Sequence, residues 1–184
     1  MNCTTETPAI KPYVEIPLSS RKYPGMVALV DAEDYELVKG YKWHVSKAHK
    51  NYDIYYAVAT MQPSSNRKMV SMHRLLLGLK HGDKRIGEHM DGNGLDNRRT
   101  VNLRVATKQQ NMFNQRPQSN RISKYKGVSW HDRACKWAAN IKVNRKIIYL
   151  GIFWNQDEAA KAYDVAALKY HKEFARLNFP KIAE

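Results

Sequence analysis

The densest group of chemically active side chains lies at residues 84–114, where Glu88 and His89 stand next to each other. The pattern predicts that they end a strand, so their side chains point in different directions and serve two roles, one binding a metal ion and the other activating water. Asn111, on a helix further along the chain, is the natural second ligand. Carboxylate and amide oxygens are hard donors, which suit Mg²⁺ or Mn²⁺ better than zinc.

These groups are sufficient for the hydrolysis of a phosphodiester bond. A histidine with the ordinary pKa of about 6.5 accepts a proton from water at neutral pH, and a divalent ion stabilises charge on the phosphate and the leaving oxygen. Taken one at a time, the same residues also fit an ordinary strand end and an ordinary helix surface. Three neighbouring arginines are candidate phosphate contacts, with solvated positions as the alternative: Arg98, Arg99 and Arg104.

Short elements must position these residues. After the strand that ends near His89, a loop rich in Gly, Asn and Asp leads into a second strand, and Thr107 with Gln110 forms a capping box that begins a helix. The order is therefore strand, loop, strand, helix. Across the first part of the chain, the apolar pattern predicts strands at 13–18, 41–45, 52–60, 85–90 and 102–106 and a helix at 72–79.

Composition limits the possible partners of the protein but does not identify one. The chain has 184 residues and a net charge of +14. Residues 1–116 carry 18 Lys and Arg against 11 Asp and Glu, and residues 117–184 carry 13 against 6, so each part has a net charge of +7. This balance suits nucleic acid, a membrane surface or a solvated face. Two cysteines make no disulfide framework, and no run approaches the roughly 18 apolar residues of a membrane span, so we expect a soluble intracellular protein.

The segment GEHMDGNGLDNRRTVNLRVATKQQN, residues 87–111, resembles the HNH motif of phage and intron-encoded homing endonucleases. The resemblance implies a ββα-metal finger at about 84–114. In that fold His89 is the general base, Glu88 and Asn111 bind the metal ion, and Asn102 braces the loop behind His89. The implied activity is metal-dependent cleavage of DNA, and the alternative is a non-catalytic DNA-binding regulator that retains an inactive HNH scaffold.

Beyond a basic linker at residues 116–122, the pattern changes to three segments of period two, followed by a helix. On the middle segment, 136–143, Lys136, Asn140 and Lys142 lie on the side that faces away from the helix. Cations and an amide on a rigid sheet suit phosphate contact and base-edge hydrogen bonding, and an ordinary solvated face is the alternative. The residues that extend this face are Arg133, Arg145 and Tyr149.

Four segments, YKGVSW, KWAANIKV, YLGIF and DEAAKAYDVAALKYHKEFARLNFP, resemble the Apetala-2/ethylene-response-factor DNA-binding domain over about residues 123–180. The resemblance implies a three-stranded sheet laid in the major groove, with a supporting helix behind it. Ser129 and His131 stand where the plant domain has arginines, so its base preference is not transferred. The residues at the family's contact positions are Lys126, Asn140, Lys142 and Tyr149.

The sequence thus predicts an α+β protein in which a β-rich N-terminal region leads into a ββα-metal finger, followed by a small three-stranded antiparallel sheet packed on one helix. Residues 1–12 are predicted to be a flexible tail, 13–115 the endonuclease domain and 123–180 the DNA-binding domain. Double-stranded DNA is the expected partner, no protein partner is implied, and a monomer is favoured. The lack of a targeting signal and the two resemblances place the protein in the cytoplasm of a bacterial or phage-infected cell.

Overall fold

The computed structural model describes residues 12–49, 52–61, 69–117 and 122–180. The predicted flexible tail and most of the predicted linker lie outside the described residues. The chain divides into two compact units, with the boundary between Ala106 and Thr107. We call these the first unit and the second unit and describe each by itself. The architecture is mixed strand and helix, with small antiparallel sheets.

The first unit contains three small antiparallel sheets and two short helices. In one sheet β1 pairs with β2, in another β3, β4 and β5 lie in that order, and in the third β6 pairs with β7. The bounds are β1 Tyr13–Pro17, β2 Val27–Asp31, α1 Tyr35–Val38, β3 His44–His49, β4 Tyr52–Thr60, β5 Met69–Ser71, α2 Met72–Leu76, β6 Ile86–His89 and β7 Leu103–Ala106.

Alternation along the strands builds the core of the first unit. Ile16 on β1 and Ala28 and Val30 on β2 are buried, because every second residue of a strand faces the same side. Trp43 is buried against them, and its indole N–H donates a hydrogen bond to the carbonyl oxygen of Val38 at 2.9 Å. The end of α1 is thereby fixed to the sheet that follows it.

The loop between β6 and β7 is fastened to β2. The Leu29 N–H donates to the Leu95 carbonyl oxygen at 2.9 Å, and the Asn97 N–H donates to the Leu29 carbonyl oxygen at 2.8 Å. Thr100 donates its N–H and its hydroxyl to the buried carboxylate of Asp31, at 2.9 and 3.0 Å. The loop that follows His89 therefore has a fixed backbone, although it is rich in turn-forming residues.

The second unit is a three-stranded antiparallel sheet, in the order β10, β9, β8, with one long helix packed on it. A short helix, α3, precedes the sheet and begins at the capping box of Thr107 and Gln110. The bounds are α3 Lys108–Asn114, β8 Val128–His131, β9 Lys136–Val143, β10 Lys146–Phe153 and α4 Gln156–His171. The predicted ββα-metal finger would join β6 and β7 to α3, and it stays a prediction.

Alanines let α4 lie close on the sheet. Ala159 and Ala160 pack with Val128 of β8 and Ala139 of β9, and all four residues are buried. Asn155 caps the start of the helix by accepting a hydrogen bond from the Asp157 N–H at 2.8 Å. None of the described helices is long and apolar enough to cross a membrane.

Candidate nucleic-acid interface

One face of the sheet in the second unit packs on α4, and the other, which we call the open face, does not. On β9, Ala139 and Ile141 point inward and are buried. Strand alternation places Lys136, Asn140 and Lys142 on the opposite side. Lys142 is exposed, whereas Lys136 and Asn140 are half-buried. The structure thus brings together the three cationic and amide side chains predicted on this strand.

A bulge in β10 brings Ile152 to the open face, where regular strand alternation would not place it. Tyr149 pairs with Asn140, but the next pair joins Gly151 to Ala139, so the register shifts by one residue. Ile152 then falls opposite Ala138, on the outer side. The shift occurs at Gly151, whose φ of +131° favours glycine. The exposed fractions on this face are 72% for Ile147, 55% for Tyr149 and 40% for Ile152.

The open face is cationic and is bounded by two further arginines. The strands β8, β9 and β10 contain no Asp or Glu, so no carboxylate on them opposes the lysines. Arg133 lies in a short 3-10 turn between β8 and β9, and Arg145 lies in the two-residue turn between β9 and β10; both are exposed. Asn144 and Arg145 have φ values of 48° and 67°, which allow the tight hairpin turn.

Lys126, predicted as a DNA contact, is engaged elsewhere. Its ammonium group donates hydrogen bonds to the carbonyl oxygens of Met112 at 3.4 Å, Phe113, and Gln115 at 2.7 Å. These carbonyls lie in the last turn and at the C-cap of α3, where helix carbonyls lack their usual i+4 partners, and a cation at that end interacts favourably with the helix dipole. Lys126 thus fastens α3 to the sheet, and we do not include it in the interface.

A second contact holds α3 against the rest of the second unit. The ring of Phe113 stacks on the imidazole of His171, with centroids 3.6 Å apart and planes 9° from parallel. His171 Nε2 lies 3.1 Å from the carbonyl oxygen of Lys142, while its Nδ1 is buried without a hydrogen-bond partner. Burial lowers the pKa of His171 below 6.5, the nearby Lys126 lowers it further, and the bond to the Lys142 carbonyl acts in the opposite direction.

This lowered pKa predicts that acid destabilises the second unit. Since the unfolded chain binds a proton at His171 with a pKa near 6.5 and the folded chain resists it, stability is full above about pH 6.5 and falls as the pH drops below that value. We expect His171→Gln, which keeps a donor for the Lys142 carbonyl but does not titrate, to flatten this dependence. The measurement is urea unfolding at several pH values, followed by NMR signals of α4.

A control comes from the other histidine of the second unit, His131, which is exposed. His131→Gln makes the same substitution at an exposed position and leaves the surroundings of His171 intact. A second unit whose stability is equal at pH 7.5 and pH 5.5 would contradict the assigned environment of His171.

In the first unit, the predicted metal ligand Glu88 is buried and ion-paired. Arg104 Nε lies 2.6 Å from Glu88 Oε2, across the antiparallel pair of β6 and β7. The other carboxylate oxygen, Oε1, is buried and accepts no hydrogen bond from the described residues. The same contact occupies Arg104, one of the predicted phosphate contacts, so these two residues form one structural pair.

The predicted catalytic pair, His89 and Asn102, lies inside the β6–β7 hairpin. His89 Nε2 is 3.3 Å from Asn97 Oδ1, and the ring lies edge-on to His73, with centroids 5.0 Å apart. Burial lowers the pKa of His89 below 6.5, and its contact with Asn97 acts in the opposite direction. Asn102 spans the loop: it accepts from the Asp91 N–H at 3.0 Å and donates to the Asp96 carbonyl at 2.8 Å.

The other two predicted phosphate contacts in this unit are also paired with carboxylates. Arg98 binds both oxygens of Asp96, at 2.8 and 2.6 Å. Arg99 binds both oxygens of the buried Asp34, at 2.9 and 2.7 Å. The Arg99–Asp34 pair fixes the β6–β7 loop to the residue that precedes α1, whereas the Arg98–Asp96 pair lies within the loop. Arg98, Arg99 and Arg104 therefore have structural partners, and we do not include them in the interface.

The predicted ligands of the divalent ion are Glu88 and Asn111, and Asn111 is half-buried on α3. Within the described ranges, no group of three or more His, Cys, Asp and Glu side chains is arranged to hold a metal ion. The Glu88 carboxylate already has a cationic partner in Arg104. Mg²⁺ or Mn²⁺ stays a prediction from sequence, and we derive no chemistry through it.

The Glu88–Arg104 pair predicts a large effect on the stability of the first unit. Arg104→Ala would leave a carboxylate that is 3% exposed without its cation, which costs about 3 kcal/mol for a buried pair. Arg85→Ala is the matched control, because the arginine of the Arg85–Asp83 pair is 61% exposed and the pair should contribute little to stability. Urea unfolding measures both variants, and equal losses of stability would contradict a structural role for the buried pair.

Comparison with known proteins bears on the resemblance to the Apetala-2/ethylene-response-factor domain. No protein-family model matches the chain. It is 43% identical over 60 residues to the ethylene-responsive transcription factor WRI1 of Arabidopsis thaliana, covering 32% of this chain and 14% of that protein. It is 46% identical over 57 residues to the AP2-like ethylene-responsive transcription factor ANT of Arabidopsis thaliana, covering 30% and 10%. It is 48% identical over 59 residues to the AP2-like ethylene-responsive transcription factor CRL5 of Oryza sativa subsp. japonica, covering 31% and 9%.

These similarities support an AP2-like DNA-binding domain in the chain, which covers only a small part of each of these relatives. They also correct the sequence interpretation. The prediction of a metal-dependent DNA endonuclease is wrong, because the matched proteins are named as transcription factors, a class of regulator and not of hydrolase. Their names fit the alternative made from the sequence, a non-catalytic DNA-binding regulator. The paired state of Glu88 and its neighbouring arginines agrees with that correction.

Proposed function

We propose that this chain is a DNA-binding regulator that contacts double-stranded DNA with the open face of β8, β9 and β10. The observation that carries the proposal is the composition of that face, where Lys136, Asn140 and Lys142 stand beside exposed apolar side chains and no strand residue is acidic. Similarity to transcription factors supports the same partner.

The side chains divide into two roles. Lys142 and Arg145, at the hairpin end of the sheet, suit contacts with phosphates, which fix the position of the protein on the duplex but carry no sequence information. Asn140 and Tyr149, which pair across β9 and β10, suit contacts with base edges, because an amide can bind adenine through two hydrogen bonds in the major groove. A two- or three-stranded β-ribbon is narrow enough to enter that groove.

The rigid support behind this face favours specific recognition. Ala139 and Ile141 anchor β9 on α4, so the outward residues of the same strand are held by a packed core. A backbone held on such a sheet loses little conformational freedom on binding, so the entropy cost is limited to the exposed side chains. The interface can therefore be small and still select a sequence.

The proposal is tested by selecting duplexes from a random pool with the full chain and measuring the affinity of the selected sequence by fluorescence anisotropy. We expect enrichment of one duplex sequence and an affinity that falls linearly, on logarithmic axes, with salt concentration. The same sequence as a single strand is the control and should bind more weakly. Retention of no duplex at low salt, or a preference for the single strand, would overturn the proposal.

A further inference from the structure

Among the described residues of the second unit, Trp154 is the most exposed large apolar side chain after Ile122, with 77% of its surface accessible. It follows β10 directly and precedes Asn155, the N-cap of α4. Its ring covers the ammonium group of Lys136, which lies 3.7 Å from the ring centroid. A tryptophan that contributes nothing to the core and is nevertheless held in one orientation is suited to bury its ring against a partner.

The β10 bulge explains why the ring is on the open face. Without the shift at Gly151, strict alternation from Tyr149 would direct Phe153 outward and Trp154 inward. With the shift, Phe153 pairs with Trp137 and packs on the core, while Ile152 points outward. Trp154, two residues beyond Ile152, therefore returns to the outer side, as its contact with Lys136 shows.

The contact with Lys136 places a cation beside the ring. A cation centred over an indole ring is attracted by the ring's electrons, and at an exposed site this interaction is weak but directional. It favours the orientation in which the ring lies against the ammonium group, which keeps the charge needed for a phosphate. A positioned aromatic ring beside a cation is the arrangement that contacts a sugar and a base at the wall of a groove.

We propose that Trp154, positioned by Lys136, is a contact of the DNA interface that extends it beyond the paired strands toward the start of α4. The indole packs against a deoxyribose and the edge of a base, while Lys136 contacts the adjacent phosphate. This inference rests on the proposed function of the open face. Double-stranded DNA is the partner because the ring belongs to the same rigid face as Asn140 and Tyr149.

The test compares Trp154→Ala, Trp154→Phe and Lys136→Gln in the full chain, with the selected duplex as ligand. We expect Trp154→Ala to weaken binding about tenfold, a loss typical of a buried aromatic contact at an interface, without changing the salt dependence, because the indole carries no charge. Trp154→Phe should retain most of the affinity. Lys136→Gln should lower the slope of log affinity against log salt by about 0.9, the value for one phosphate contact.

The matched control is a second lysine–aromatic pair, Lys169 and Tyr170 on α4, where the ammonium group lies 5.3 Å from the ring centroid. Tyr170→Ala should leave duplex affinity unchanged. A measurement independent of folding uses the unmodified protein: the indole N–H resonance of Trp154, assigned with Trp154→Phe, should shift when the duplex is added.

The outcomes separate the inference from the proposed function. If the unmodified chain binds no duplex, the proposed function fails. If it binds but Trp154→Ala matches Tyr170→Ala and the Trp154 indole resonance does not move, the inference fails alone. If Trp154→Ala weakens binding of single-stranded DNA and not of the duplex, the ring stacks on unpaired bases and the inference is overturned.

Discussion

Replacing Lys142 and Arg145 together by alanine is expected to weaken duplex binding about 60-fold at 0.1 M salt and to lower the slope of log affinity against log salt by about 1.8. Both figures follow from a slope of about 0.9 for each phosphate contact that is lost. The two side chains are exposed at the hairpin end of the open face, and neither contributes to the core. Fluorescence anisotropy over a salt series measures both quantities.

The matched control removes the same two positive charges from α4, through Lys161→Ala with Lys169→Ala. Both lysines are exposed on the helix that packs on the other side of the sheet. Charges further from DNA than the screening length of about 10 Å contribute little, so we expect a loss of about threefold or less. Equal losses in the two double variants would show that binding follows net charge and not the open face.

Gly127→Ala is expected to destabilise the second unit by about 4 kcal/mol, which combines left-handed backbone strain with overpacking. A Cβ atom there would lie 1.9 Å from Cδ2 of the buried Tyr163 and 2.7 Å from the carbonyl oxygen of Asn140, and the φ of Gly127 is +75°. Small domains have little stability to lose, so we expect DNA binding to disappear as well. Urea unfolding followed by NMR signals of α4 measures the loss.

Gly25→Ala separates the two causes. Gly25 has a similar φ of +78°, but a Cβ atom there would meet nothing within 4 Å. We therefore expect a loss of about 1 to 2 kcal/mol in the first unit, from backbone strain alone. If Gly127→Ala destabilises the second unit no more than Gly25→Ala destabilises the first unit, this result would contradict the close contact between Gly127 and Tyr163.

Signals that act over a few residues gave reliable predictions. The capping box of Thr107 and Gln110 begins α3, as the sequence predicts. The strand predicted at 52–60 has the bounds of β4. Each of these features depends on side-chain and backbone contacts between neighbouring residues, which the order of residue types reveals.

The bulge in β10 shows where strand alternation fails. The sequence from Ile147 to Phe153 predicts one regular strand, yet the register shifts between Tyr149 and Gly151. The shift decides which of Ile152 and Phe153 is buried, and hence the side on which Trp154 lies. The glycine in the middle of the segment was the available signal, since a glycine inside a strand often marks a bulge.

The roles predicted for charged residues differed most from the contacts that these residues make in the structure. Arg99 pairs with Asp34, which is 65 positions away along the chain, and Lys126 finds its partners at the end of α3. A basic side chain looks the same in sequence whether it awaits a phosphate or neutralises a buried carboxylate. Only the tertiary contacts distinguish the two roles, so we left the three paired arginines and Lys126 out of the proposed interface.

The most direct test of the central claim is a map of amide chemical-shift changes across the full chain when the selected duplex is added. If the open face binds DNA, the changes concentrate on the outward residues of β8, β9 and β10, including Asn140 and Lys142, and spare the outer side of α4. Changes centred on the β6–β7 loop or on α4, with the sheet unaffected, would contradict the account.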